Sequence, residues 1–367
     1  MKLLYITNGV HGSGGLERVL AVKASYLAEH LNYEVTILIL NSDGEELFYK
    51  FSDKIKFYNI NASGNVLSYF LSYRKGIKNA IKSVKPVIIS VCDDGVKGLL
   101  FPVLFGKKIP VVYERHVSKQ IEARTEHSSL FAKLKTILIF KLMELGGSQF
   151  DTFVVLTNGN LKEWSLTNLM LIPNPLPFNS MEKSLLNTKK VLAVGKQGYQ
   201  KSYDRLLQIW KIVGEKFPDW ILEVYGKREP QLGLEKRVSE FGLKSKVYFF
   251  DPVKNIQEKY KDAAIYVMSS RYEGFGMVLI EAMSFGVPCV SFDCPHGPAD
   301  IINDSENGYL VENGNIEDFA NRLKQLMENE NLRNQMGASA KENMKCYAPD
   351  VIVPLWDDLF KKLTRPE

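Results

Sequence analysis

Two glutamates eight residues apart, Glu273 and Glu281, bracket a Gly-Phe-Gly turn within SSRYEGFGMVLIEAMSFGVPCV (269–290). Carboxylates accept hydrogen bonds from hydroxyl groups, which suits a ribose and a hexose better than a second phosphate. The turn suits the phosphate. Gly274 and Gly276 let an anion come close to the chain, and a helix beginning near Met277 or Val278 offers N–H groups that have no partner within the helix. The backbone from Phe275 and Gly276 to Met277 and Val278 is therefore the expected seat of a diphosphate, and the segment as a whole suits a nucleotide sugar. The plainer alternative makes Glu273 a helix-capping acid and Glu281 a solvated one; the coincidence of loop, glycines and spacing favours the ligand.

These residues need a sheet to position them. AAIYVMSS (263–270) and VPCVSF (287–292) are buried strand patterns, so the segment between them is a βαβ crossover with its turn at the carboxyl end of a parallel sheet. Strand, loop and helix recur at two other places. KLLYIT (2–7) enters a glycine-rich loop, Gly9 to Gly15, and then LERVLAVKASYLAEHL (16–31); KKVLAVGKQGYQKS (189–202) enters SYDRLLQIWKIVGEKF (202–217). Each is the opening unit of a Rossmann-like domain. Further strand patterns alternate with helical ones at 33–40, 86–91, 109–113, 151–156, 220–226 and 246–250. The chain is thus expected to be α/β, with two doubly wound sheets joined at the proline-rich PNPLP (173–177). The expected domains are 1–172 and 178–349. Around Pro354, the apolar Ile352, Leu355, Trp356, Leu359, Phe360 and Leu363 recur at helical spacing and predict a last amphipathic helix in 350–367.

Composition narrows the function classes. The 367 residues are 45% hydrophobic and 24% charged, as in a globular protein of two domains. The N-terminus enters a strand directly and no run approaches the roughly 18 apolar residues of a spanning helix, so the expected address is the cytosol. Four cysteines and five histidines show no Cys-x2-Cys or His-x3-His spacing, which argues against zinc and against a disulfide framework. The net charge of +5 is uneven: between 51 and 150 there are 16 Lys and Arg against 7 Asp and Glu. That basic field favours a phosphate-bearing acceptor or an anionic membrane surface. Nucleic acid is not expected, because the basic residues form no recognised binding motif. SLFAKLKTILIFKLMEL (129–145) sets Lys133, Lys135 and Lys141 among large apolar residues, either as a membrane-facing helix or as a core helix with snorkelling lysines.

In order and spacing, the Glu-x7-Glu segment, GSGGLERVL (12–20), Glu-Arg-His (114–116), IPNP (172–175) and VGKQGYQKS (194–202) resemble the retaining family-4 glycosyltransferases of the GT-B fold over nearly the whole chain. The resemblance implies two Rossmann-like domains facing across a cleft, the first binding the acceptor and the second the nucleotide sugar, with the C-terminal helix crossing back to the first. It implies that Lys196 and Lys201 grip the donor diphosphate. Lys196 stands where the family usually has Arg, so the contact would be a point charge rather than a bidentate fork. Gly14 and Gly15 would allow close approach to the diphosphate from the other domain, with a bare glycine turn as the alternative. His116, at the end of the strand IPVVYE, would contact the donor sugar near the reacting carbon. No cofactor and no metal are expected.

The implied activity is transfer of a hexosyl or N-acetylhexosaminyl unit from a UDP-linked or other nucleoside-diphosphate sugar to a hydroxyl of a glycan; the basic N-terminal half and the expected cytosolic address point to a polyprenyl-diphosphate-linked acceptor, with peripheral attachment at the inner membrane face. Its rivals are a nucleotide-sugar epimerase of the same fold and a non-catalytic nucleotide-sugar sensor. Dinucleotide oxidoreduction is disfavoured, since neither glycine loop gives Gly-x-Gly-x-x-Gly with an acid about twenty residues on. Weaker positions are His11, the Asp93–Asp94 pair expected as a helix cap before Gly95, His296 in PHGPAD (295–300), and Lys227, Arg228 and the Phe249–Val253 turn for the base. Asp251 in that turn stands where the family commonly has Gly.

Overall fold

The computed structural model describes residues 1–42, 46–93, 95–119, 130–178 and 182–365; Asp94 and Ser129 lie outside them. The chain forms two compact units, Met1–Pro177 with Pro349–Glu367, and Phe178–Ala348.

The first unit is a seven-stranded sheet of β1 (Lys2–Ile6), β2 (Glu34–Leu40), β3 (Lys56–Ile60), β4 (Ile88–Val91), β5 (Val111–Glu114), β6 (Thr152–Val155) and β7 (Leu169–Leu171), in the order β3-β2-β1-β4-β5-β6-β7. The second has six strands, β8 (Lys190–Val194), β9 (Ile221–Tyr225), β10 (Val247–Phe250), β11 (Ile265–Met268), β12 (Cys289–Asp293) and β13 (Gly308–Glu312), in the order β10-β9-β8-β11-β12-β13. Every pairing is parallel. In both sheets the order reverses beside the first strand, between β1 and β4 and between β8 and β11. Loops leaving adjacent strands diverge there, which opens a crevice at the strands' carboxyl ends.

Alternation along β1 shows how a parallel sheet is covered on both faces. Leu3 and Tyr5 pack with Leu20, Ala24 and Leu27 of the Gly15–His30 helix, while Leu4 and Ile6 pack with Tyr73, Ile77 and Ala80 of the Val66–Val84 helix. The last helix, Pro349–Thr364, belongs to the first of these cores and continues past Pro354. Its buried residues are Ile352, Val353, Trp356, Leu359 and Phe360. Leu355, expected on that face, is exposed and Val353 takes the place, so the buried stripe is rotated from the predicted one. Asp357 is also buried and accepts a hydrogen bond from Tyr33 Oη at 2.7 Å.

The Leu130–Gly147 helix rests on the sheet through Met143, with Ile139 and Phe140 packed beside it. Leu134, Ile137, Leu138, Leu142 and Leu145 are each more than half exposed, so only one face of this helix joins the core. Among the described residues no helix is long and apolar enough to cross a membrane.

Candidate active site

In the second unit, the loop after β8 (195–202) meets the loop after β11 (269–276) where the strand order reverses. Lys201 Nζ lies 2.6 Å from Glu273 Oε1, and Ser270 Oγ donates to the same oxygen at 2.6 Å. The lysine stem crosses Gly195, where a Cβ would stand 2.7 Å from Lys201 Cε. The two loops are locked by Arg271, which sequence reasoning did not single out. Its guanidinium donates to both carboxylate oxygens of Asp204 (3.0 and 2.7 Å) and to the Tyr199 carbonyl (2.8 Å), and it stacks over the Tyr199 ring. Burial pushes the Asp204 carboxyl up, but the Arg271 hydrogen bonds and charge outweigh it and hold the group below the usual range.

The helix behind these loops is Met277–Ser284, starting at the first of the two expected residues. Its cap is Gly276 at φ +96°, a conformation that favours glycine and that brings no side chain to the helix start. Gly276 and not Glu273 is thus the cap; the Leu279 N–H is taken by the Gly276 carbonyl at 2.8 Å, and the first turn ahead of it is of the kind that receives an anion. The loop after β12 backs this turn: the Pro295 carbonyl accepts the Glu273 N–H at 3.0 Å. Gly297 presses so close that a Cβ would stand 2.0 Å from the Phe275 carbonyl oxygen. His296, beside it, has φ +66°. The Phe275 ring is buried against Tyr347, so its contribution to an anion site is its backbone.

Glu281 departs from the solvated alternative. Its side chain is buried, and Oε2 accepts from Tyr260 Oη at 2.8 Å. Lys196, in contrast, is largely exposed and pairs with Glu229 Oε1 at 2.5 Å. Each of the two expected cations therefore has a carboxylate partner of its own. In the region expected to meet a base, Arg228 donates to the Phe249 carbonyl at 2.8 Å and pairs with Asp251 at 3.4 Å, so the unexpected aspartate has a cation beside it. The Lys227 carbonyl accepts from the Gln197 N–H at 2.8 Å.

In the first unit, the reversal between β1 and β4 holds a cavity of about 420 Å³ lined by residues that include Thr7, Asn8, His11, Glu17, Ser42 and Asp93. His11 Nε2 meets Ser42 Oγ. Asp93 accepts the Gly95 N–H at 3.0 Å and Asn8 Nδ2 at 2.8 Å, a local turn just ahead of the Val96–Leu99 helix and not the cap on a helix N–H expected of it. Gly14 caps the Gly15–His30 helix in extended backbone, φ −79°. A Cβ there would meet only the Glu17 carboxylate, at 2.5 Å, the far end of a flexible side chain, so neither the turn nor the packing demands glycine at Gly14.

At the end of β5 the Glu114 carboxylate is the centre of a buried cluster. It receives Lys23 Nζ and His116 Nε2 (3.2 Å) on one oxygen and Ser90 Oγ (2.5 Å) on the other. The Lys23 ammonium stands 3.7 Å from the centre of the Trp356 ring. Burial pushes the Glu114 carboxyl up, yet the Lys23 charge and the hydrogen bonds from His116 and Lys23 overcome this and hold it at about 2. Cys92, Glu114 and His116 have ligand-type atoms within 4.8 Å of one another, but the cation among them is Lys23. Lys23 had a sequence signal, lying with Leu16, Leu20 and Leu27 on one helical stripe, where a lysine needs a buried acid.

Residues 179–343 match the family model described as glycosyl transferases group 1. The chain is 34% identical over 374 residues to the amylovoran biosynthesis glycosyltransferase AmsD of Erwinia amylovora, covering 98% of this chain and 99% of that one. Among solved structures, sucrose-phosphate synthase from Thermosynechococcus elongatus has a TM-score of 0.84 at 16% identity over 99% of both chains. A mutant of S. aureus TarM in complex with fondaparinux, α-GlcNAc-glycerol and UDP has a TM-score of 0.80 at 18% identity, covering 98% of this chain and 99% of that one. Two doubly wound parallel sheets shared with these structures are the GT-B fold, and the full-length likeness to AmsD makes this chain a member of the group 1 glycosyl transferases.

Proposed function

We propose that the protein moves a sugar from a UDP-sugar to a hydroxyl of a growing glycan, with retention at the anomeric carbon and without a metal ion. The observation that carries this is the Lys201–Glu273 pair beside a helix start that no side chain caps, at the reversal of strand order in the second unit. The leaving diphosphate gains charge as the bond between sugar C1 and phosphate oxygen breaks. In this reading Lys201, Lys196 and the N–H groups from Phe275 to Val278 take up that charge and fill the role a divalent ion would have. The acceptor oxygen forms its bond to C1 on the face the diphosphate leaves, and its proton passes to the departing phosphate oxygen. Glu273 and Glu281 hold donor hydroxyls, Gly14 and Gly15 admit the diphosphate closely, and His116 is the group of the first unit that meets the sugar. UDP is chosen because it is the nucleotide bound in the TarM structure.

The acceptor is a glycan, carried on a polyprenyl diphosphate, approached at an anionic membrane surface on the cytoplasmic side. Support comes from the Leu130–Gly147 helix, where the exposed Lys133, Lys135 and Lys141 stand among exposed leucines. Basic groups attract the anionic headgroups while the leucines bury into the interface.

Incubation with a panel of UDP-, GDP- and ADP-sugars tests the reading. Release of the nucleoside diphosphate in the presence of EDTA, fastest with a UDP-sugar, is the expected result. An isomerised sugar with no diphosphate released makes the protein an epimerase, and tight binding without turnover makes it a sensor.

A further inference from the structure

Below the candidate sugar contact, the core holds an ion pair for which packing alone gives no reason. Lys23 and Glu114 side chains are each 1% exposed, in a sheet face otherwise filled by Leu3, Tyr5, Leu20 and Ala24. A buried ion pair rarely outperforms an apolar pair of similar volume, because two charges must be stripped of water. Its contacts point to another use. Lys23 comes from the Gly15–His30 helix, Ser90 from β4 and Glu114 from the end of β5, and what they hold between them is His116.

We propose that Glu114, paired in the interior with Lys23, is a positioning residue that fixes the His116 ring with its proton on Nε2, and that Trp356 of the last helix seals the pair from water. The inference rests on the reading of His116 as the sugar contact. An ionised carboxylate only accepts hydrogen bonds, so the Nε2 that faces it carries the proton, and in the neutral ring Nδ1 is then the acceptor nitrogen. Ser90 and Lys23 occupy both oxygens of Glu114, which removes the rotation that would let the imidazole swing. The indole ring of Trp356 lies over the ammonium at 3.7 Å and the phenol ring of Tyr5 at 5.2 Å, an arrangement that shields the charge while stabilising it. A segment more than 230 residues away in sequence is thus part of the support of His116.

The groups facing Glu114 are Lys23 from the helix, Tyr5 from β1, Cys92 after β4, and His116. Burial pushes the Tyr5 hydroxyl up, and the Glu114 charge adds to this, so Tyr5 stays neutral. Of the cations, Lys23 does most to keep Glu114 ionised against its burial.

The variants Glu114→Gln, Lys23→Met and Ser90→Ala are compared with His116→Ala, using the UDP-sugar that the protein turns over and long-range ¹⁵N–¹H spectra of the imidazole. The wild type should show the His116 proton on Nε2. Glu114→Gln should lower kcat at least tenfold with the donor KM within threefold, and Lys23→Met should move the acid limb of the kcat profile to higher pH, because burial of Glu114 is then opposed by less positive charge. Circular dichroism tells whether Lys23→Met folds; if it does not, Glu114→Gln and Ser90→Ala, which keep volume closely, decide. A wild-type proton on Nδ1, or Glu114→Gln with unchanged kcat while His116→Ala is inactive, overturns the positioning role and leaves the transfer reading standing. An active His116→Ala instead removes His116 from the reaction, whatever its tautomer.

Discussion

Lys201 Nζ is 2.6 Å from Glu273 Oε1, so the expected phosphate cation and the expected hydroxyl acceptor are joined to each other before any donor arrives. A charged hydrogen bond contributes about 1.5 to 3 kcal/mol, which is roughly ten- to a hundredfold in rate or affinity. Lys201→Ala should therefore lower kcat/KM for the donor at least tenfold, while Lys196→Ala, whose side chain is largely exposed, should cost less. Glu281→Ala should also cost at least tenfold, and it removes the carboxylate to which the Tyr260 hydroxyl donates. Steady-state kinetics on folded protein ranks the three; Lys201→Ala with wild-type kcat/KM would take the donor site away from this loop.

Glu114 makes acid stability a second measurement. Its carboxyl is held at about 2 against an ordinary 4.5, a depressed value, so its contribution is present above the unfolded value and lost as pH falls from about 4.5 toward 2. The size is about 3 kcal/mol at most. Urea unfolding at pH 7 and at pH 3 should show the difference between wild type and Glu114→Gln shrinking by a few kcal/mol at the lower pH. An equal difference at both values would mean that Glu114 is not ionised in the folded protein.

The parts of the fold legible in sequence were those whose pattern is local. Strands buried on both faces, such as β1 and β11, are continuous apolar runs, and the start of the Met277–Ser284 helix is marked by the glycine before it. The strands not named in advance have weaker patterns. β3 is largely exposed on the sheet edge with no clean alternation, β7 has three residues, and β13 begins with glycine. In the candidate site, Glu273, Lys201 and His116 are conspicuous as charged or titratable groups at strand ends. Their supports are not. Arg271 finds Asp204 67 residues away, and Lys23 finds Glu114 91 residues away and Trp356 farther still, pairings that only the folded chain brings together. Glu281 shows the same limit: its spacing placed it on the right helix, whereas its burial depends on Tyr260 of another.

The Leu130–Gly147 helix gives a third expectation. Five of its large apolar residues are more than half exposed, among them Leu138 and Leu142, with basic side chains interspersed. Flotation should recover the protein with vesicles containing anionic lipid and not with neutral ones, and added salt should weaken the binding. Replacing Leu138 and Leu142 together by Glu should abolish flotation and leave the thermal midpoint within a few degrees, since neither side chain is in the core. Protein that stays at the bottom of every gradient would mean that this face has another use.

His116 separates transfer from donor binding. It stands at the end of β5 in the first unit, whereas Lys201, Glu273 and the Met277–Ser284 helix start belong to the second, so the bare nucleotide can be held without it. A group that meets the sugar mainly as the bond to the diphosphate breaks stabilises the transition state and adds little to ground-state affinity. His116→Ala should then lower kcat severely while the Kd for UDP stays within about threefold, a difference of less than 1 kcal/mol. Calorimetry with UDP and a turnover assay on one preparation give both numbers. Affinity that collapses with turnover would make the histidine a structural support of the nucleotide site, and turnover that survives would leave the sugar side of the mechanism to another residue.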